Sequence, residues 1–240
     1  MTEQQIRQGV VDIMASWVGC VQGDATHKYI IDTYNTIVPL PSGYKMTYTD
    51  AWCAASVSAA GYLAGCQQVV LPQMNCGSMV DLYKAAGRWV ENDAYVPSPG
   101  DLVIFYWSDN GIGDCTSHAS HVGMVEWCDG KKFGTIEGNM VKDGVHYCGR
   151  RTVNVNAQYI RGFCCPDYAA LASPEKWYRT LAVLKADEWN AKYYVPTIEK
   201  LLASGKLKGR GGSGDATIID LSEEAVRMYV TNDRAGLYDK

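Results

Sequence analysis

Two residues of this chain have types and settings suited to covalent catalysis: Cys53, in TDAWCAASVSAAG, and His121, in SHVGMVEW. A thiol is a useful nucleophile only as thiolate, and two effects lower its pKa: the partial positive charge of a helix N-terminus and a nearby imidazole. The small-residue run after Cys53 predicts a helix that opens at the cysteine, which supplies the first effect. His121 opens a predicted strand, and the strand after it carries Glu137 and Asn139 in TIEGN. A polar side chain can therefore lie beside the imidazole and hold its useful tautomer; whether Glu137 or Asn139 does so is open at this level. Such a set performs acyl transfer: the thiolate attacks an amide carbonyl, N–H groups at the helix start hold the oxyanion, and the imidazole protonates the leaving amine. Tyr48 and Asp50, just upstream of Cys53, are further candidates for the oxyanion site.

Each of these residues also has a plainer reading. The nine cysteines, at 20, 53, 66, 76, 115, 128, 148, 164 and 165, are an odd set without the regular spacing of a disulfide scaffold, and a reduced, buried thiol is the default for most of them. Cys53 is set apart by Trp52, by its helix start and by its company. For Glu137 the plainer reading is a surface strand carboxylate, and for Asn139 a turn residue after Gly138. Cys115, His118, His121 and Cys128 offer a C-x-x-H-x-x-H spacing that zinc could use. A spacing of three, however, sends His118 and His121 to opposite faces of a chain entering a strand, and no outlying pair completes a tetrahedral set. No metal site is therefore expected. His27 is expected on a helix surface and His146 in a strand. Tyr95, Phe105, Tyr106, Trp107 and Trp127 are expected in the core, with some able to line a groove.

The elements that must position Cys53 and His121 follow from periodicity. Ile6, Val10, Ile13 and Trp17 recur at helical spacing before Gly19, and Ile30, Tyr34 and Ile37 mark a second helix over 27–37. The turn-rich VPLPSGYKMTYTD leads into the helix at Cys53, which Gly65 can cap, and a further helix runs over 78–86, closed by Gly87. After Pro97-Ser98-Pro99-Gly100 the runs DLVIFYW, HVGMVEW, KFGTIEG, RRTVNVN and YIRGFCC predict a small antiparallel sheet, with Asp129-Gly130 as a two-residue hairpin turn. Beyond Pro166 the character changes. Pro196 suits a first helical turn with Ile198, Leu201 and Leu202 on one face and Gly205 as cap, while Ser222 with Glu223 and Glu224 starts a second helix. The stretch 209–214, GRGGSG, lacks the ending and the preceding strand of a phosphate loop and is expected to be a flexible turn.

Bulk properties limit the partners. With 47% hydrophobic residues over 240 positions the chain can bury a full core. A net charge of -4 leaves no basic field for nucleic acid or anionic membrane. No run is apolar enough to span a bilayer, and the first residues do not read as a signal peptide, so synthesis in the cytoplasm is expected.

Taken together, AWCAASVS, PGDLVIF, HVGMVE and TIEGN resemble the CHAP family of cysteine, histidine-dependent amidohydrolases and peptidases, in the family's order and over roughly residues 5–168. The resemblance implies an α+β, papain-like fold with N-terminal helices on a small antiparallel sheet. Carried over position by position, it implies Cys53 as nucleophile, His121 as general base and then acid, and Glu137 with Asn139 as orienting groups. It implies a peptidoglycan hydrolase of endolysin or autolysin type, leaning to an N-acetylmuramoyl-L-alanine amidase, with a stem-peptide or cross-bridge endopeptidase as the alternative. If phage-encoded, such an enzyme reaches the wall through a holin. A non-catalytic wall-binding or structural protein is the reading of another class. No cofactor is implied as required. Calcium is raised by some family members, but this chain offers only Asp50 near the nucleophile, with Asp24 and Asp32 further back, where a hard cation wants several converging oxygens. Ser120 stands where many related sequences have an acidic residue. The expected organisation is a catalytic domain over 1–168, a linker over 169–188 and a small helical module over 189–240. That module resembles one S-layer-homology-like unit; it binds wall, self-associates into a homo-oligomer, or packs on the catalytic domain, because one helix pair cannot bury its own apolar face.

Overall fold

The computed structural model describes residues 1–111, 115–116, 118–172, 176–207 and 218–239, so the GRGGSG stretch at 209–214 lies outside the described residues. The chain divides into two compact units, Met1–Ala172 and Ser173–Lys240.

The first unit begins with four helices. Helix α1 (Glu3–Ser16) starts at a capping box of Thr2 and Gln5 and buries Ile6, Val10, Val11 and Met14. Helix α2 (Ala25–Asn35) is capped by the Asp24 side chain, and α4 (Cys76–Ala85) by that of Asn75. Between them, α3 (Cys53–Leu63) is buried along every residue from Cys53 to Gly61. Its alanines and serines let neighbours approach on all sides, and a helix buried all round has no polar face to show.

These helices cover one face of a six-stranded antiparallel sheet. Its strands are β1 (Trp89–Val90), β2 (Leu102–Phe105), β3 (His121–Cys128), β4 (Lys132–Lys142), β5 (Val145–Asn154) and β6 (Ile160–Cys164), in the order β1-β6-β2-β3-β4-β5. The mixed α+β class with an antiparallel sheet agrees with the sequence expectation and is compatible with a papain-like arrangement. Leu102, Ile104, Val122, Met124 and Ile136 point into the helical core, while Val103, Phe105, Val125, Phe133 and Phe163 form a second core on the other face. Both faces of β2 are covered, which explains why LVIF reads as an unbroken apolar run rather than an alternating one.

Two hairpins set the register that matters for the site. The first turn falls one residue later than the expected Asp129-Gly130, at Gly130-Lys131: Asp129 N–H donates to the Lys132 carbonyl, and the Asp129 carboxylate accepts from the Lys131 and Lys132 amides. The second hairpin was not expected from sequence: Asp143 (φ 51°) and Gly144 (φ 76°) make a tight turn that extends β4 and β5 well past their predicted ends.

The second unit contains β7 (Trp177–Thr180), α5 (Leu181–Lys185), α6 (Glu188–Tyr193), α7 (Val195–Ala203), β8 (Ile218–Ser222) and α8 (Glu223–Arg234), with β7 and β8 paired. Two expectations are corrected here. The stretch 169–188 is not a bare linker, since a 3-10 turn at Tyr168–Leu171 is followed by β7 and α5. The helix pair also does not lack a partner for its apolar face: Tyr178 from β7, Leu184 from α5 and Ile219 from β8 complete a core with Ile198, Leu201, Val226 and Val230. Buried Asn190 donates to Tyr178 Oη at 3.0 Å within it.

Candidate active site

Cys53 is the first residue of α3, preceded by Trp52, which provides no side-chain cap. Helices α1, α2 and α4 each lose first-turn donors to a capping side chain, whereas the first-turn N–H groups of α3 are left to whatever arrives at the cysteine. Cys53 is only 7% exposed. Its sulfur lies 3.8 Å from Cys76 Sγ. The hydrogen bond with Cys76 is the largest influence on the thiol and lowers its pKa; burial opposes it, and contacts with His121 and the Val122 N–H add to the lowering, so the net effect carries Cys53 well below an ordinary thiol.

His121 opens β3 opposite Phe105 of β2. Its Nε2 lies 3.0 Å from Glu137 Oε2, which leaves Nδ1 as the ring nitrogen for the thiol. Burial lowers the His121 pKa, but the hydrogen bonds to Cys53 and Glu137 outweigh it and push it up to about 9. A thiol shifted down beside an imidazole shifted up favours the thiolate–imidazolium form of the pair. The ring is walled by Phe105, with centroids 6.3 Å apart, and by Trp107 at 5.9 Å.

Glu137, on β4, has no exposed surface. Burial raises its pKa, yet the bonds from His121 and Arg151 more than offset this and keep the carboxyl below its usual range. Arg151 Nε donates to Oε1 at 2.9 Å, and Thr135 Oγ1 donates to the same oxygen at 2.5 Å. Arg151 faces Thr135 across the β4–β5 ladder, a register set by the Asp143-Gly144 turn together with the bulge between Glu137 and Met140. Its guanidinium also lies 5.0 Å from the centre of the Trp107 ring. Two glycines make room. A Cβ on Gly123 would lie 2.7 Å from Glu137 Cγ, and one on Gly138 would lie 2.5 Å from Ser56 Oγ and 2.8 Å from the Trp52 ring. The first admits the carboxylate beside β3; the second lets β4 close against the start of α3.

Asn139 is not beside the imidazole. It sits in the bulge between Glu137 and Met140 with φ 59°, and its Oδ1 pairs with His146 Nδ1 at 2.8 Å. The extra bulge residue turns Asn139 away from His121 and toward the β5 strand. His146 is thus a strand residue, as expected, but His27 is not on a helix surface. It is fully buried, Nδ1 accepts from Gly23 N–H at 3.0 Å, and the ring packs edge-on to Trp52 with centroids 4.9 Å apart. Asp50 and Tyr48 are occupied in the preceding loop: Asp50 accepts from the Thr47 amide and hydroxyl, and Tyr48 donates to Asp32 at 2.9 Å. Asp24 caps α2. Among the described residues no group of three or more His, Cys, Asp or Glu side chains could hold a metal ion; Cys115 is buried and His118 exposed. Of the aromatic set, Phe105 is core and Tyr95 packs on Phe163, while Trp107 and Trp127 are each 41% exposed. Sequence reasoning missed Arg151, Thr135 and Cys76. Gly123 and Gly138 within predicted strands were the available signal, since glycine within a strand marks a close approach.

A buried cysteine at a helix start, paired with a strand histidine and a strand carboxylate, defines the class of cysteine–histidine hydrolases. The family model of the CHAP domain matches residues 43–139 of this chain. CHAP domains are cysteine- and histidine-dependent amidohydrolases that act on peptidoglycan. No curated protein and no solved structure matches the chain.

Proposed function

We propose that this protein hydrolyses an amide bond of peptidoglycan through a covalent thioester on Cys53. The observation that carries the reading is the chain of contacts from Cys53 at the uncapped start of α3, through His121, to Glu137 held by Arg151. The Cys53 thiolate adds to the amide carbonyl, and first-turn N–H groups of α3 receive the oxyanion. His121, as imidazolium, gives its proton to the leaving amine. The neutral ring then takes a proton from water, whose oxygen attacks the thioester and frees Cys53. Glu137 keeps Nε2 protonated and the ring aimed at the thiol, while Asn139 bonds elsewhere and serves the bulge.

Between the two amide classes open to this chemistry, we take the bond joining the lactyl group of N-acetylmuramic acid to L-alanine first, with stem-peptide and cross-bridge bonds second. Digestion of purified sacculi with mass spectrometry of the products assigns the bond: new L-alanine N-termini mean amidase, other new amino groups mean endopeptidase. Cys53→Ala is expected to abolish either. Sacculi cleaved equally by Cys53→Ala would remove the mechanism, and sacculi bound but never cleaved would favour the wall-binding reading. An endolysin-like role, with the enzyme meeting the wall after release, belongs to the same proposal and predicts lysis when the protein is added to permeabilised cells. Exposed Trp177, Trp189 and Tyr193 in the second unit support a part for it in wall retention or self-association, measured by sacculus sedimentation and by size-exclusion chromatography with light scattering.

A further inference from the structure

We propose that Cys76 is a positioning residue for the nucleophile: its thiol donates a hydrogen bond to the Cys53 sulfur and holds it as thiolate against His121. This rests on the reading of Cys53 as nucleophile.

Two separate helices deliver the sulfurs to one another. Cys53 is the first residue of α3 and Cys76 the first of α4; both are buried, at 7% and 6% exposure, and their Sγ atoms are 3.8 Å apart. That separation is within hydrogen-bonding range for sulfur and well beyond a disulfide bond, and both cysteines are free. Two thiolates so close in a buried place cannot coexist, so one sulfur keeps its proton and becomes the donor. The surroundings decide which. Cys53 has the His121 ring and the Val122 N–H on it, both of which favour the anion. Cys76 is influenced by the thiols of Cys53 and Cys164 and, among the described residues, by no cation, and its proton is retained far above the ordinary thiol range, first through the bond to Cys53 and then through burial. The bond therefore runs from Cys76 S–H to Cys53. A buried cysteine packing as a small hydrophobe would place no such demand on its sulfur, and an alanine would fill the position nearly as well.

The test follows the Cys53 thiolate without needing turnover. Iodoacetamide labelling of Cys53, located by peptide mass spectrometry, is measured across pH in the full chain for the unaltered protein, Cys76→Ala and Cys76→Ser. In Cys76→Ala the acid midpoint for Cys53 is expected to rise by about one pH unit, a tenfold loss of thiolate below it. Cys76→Ser, which restores a donor, is expected to recover at least half of that shift. An unchanged midpoint in folded Cys76→Ala, or equal shifts in the two variants, overturns the proposal. Should neither variant fold, the unaltered protein still decides: Cys76 labelled at lower pH than Cys53 reverses the donor assignment and overturns it, and Cys76 unlabelled where Cys53 is fully labelled supports it. Hydrolysis of sacculi by Cys53→Ala is the separate outcome that removes the nucleophile reading itself.

Discussion

With Cys53 as the proposed nucleophile and His121 as its proposed acid and base, the pair would work only while the thiol is deprotonated and the ring protonated, so pH should bound its activity on both sides. With His121 raised from 6.5 to about 9, the basic limb of kcat/KM is expected near pH 9, and the acid limb well below an ordinary thiol pKa; an optimum confined below pH 6.5 would contradict the ion pair. Stability carries the same signature. A histidine whose pKa rises on folding contributes fully below its unfolded value of about 6.5, and that contribution is lost as pH rises through about 9, a term on the order of 3 kcal/mol. Glu137 has the opposite sign: its pKa is depressed below 4.5, so its contribution holds above that value and fades as pH falls through the folded one. Urea titrations at pH 7 and pH 10 measure the first effect. Glu137→Gln removes the counter-charge of both His121 and Arg151, and is expected to lower kcat by about 10² and to move the basic limb downward. A variant with a normal profile would show that the carboxylate does not orient the ring.

Strands and turns decide whether these side chains meet. Gly123 and Glu137 are one such tight point, because a methyl at 123 would stand 2.7 Å from Glu137 Cγ. Gly123→Ala is therefore expected to displace the carboxylate and to mimic Glu137→Gln in its pH profile, with a melting temperature altered by only a few degrees; full activity in that variant would mean the strand can shift to make room. At the far end of the hairpin, Asp143 and Gly144 both have positive φ, a conformation that β-branched residues resist. Replacing the pair by Val-Val is expected to loosen the β4–β5 register that sets Arg151 opposite Thr135. Hydrogen exchange of the Met140 and Tyr147 amides should then rise before that of β2.

At the scale of the whole chain, each unit has a buried core of its own. The first is divided into two clusters by the sheet, and the second collects around Ile198, which is fully buried. Ile198→Ala is expected to cost 2–5 kcal/mol, as a roughly typical large-to-small core change, and to do so within the second unit alone. Calorimetry should show one transition moved and another kept, with Cys53 labelling unaffected; a single transition moved as a whole would mean that the two cores unfold together.

Much of the order and kind of the elements in the first unit, and the residues proposed to carry the chemistry, can be read from the sequence. Cys53 at a helix start, His121 at a strand start and TIEGN on the neighbouring strand were legible because helix starts, strand periods and a hairpin turn are local properties, written within a few residues. The family resemblance rested on those same segments. What the local pattern does not encode is which side chains converge across strands and helices. The bulge after Glu137 sends Asn139 to His146 and leaves Glu137 on the imidazole; one inserted residue decides that choice, and a bulge leaves no mark in composition. Arg151 reaches Glu137 from fourteen residues away, through a hairpin whose turn lies between them, and Cys76 comes to Cys53 from a different helix. His27 looked like a surface residue on its own helix until Trp52 closed over it. Those placements depend on long-range packing, so the tertiary structure alone decided them.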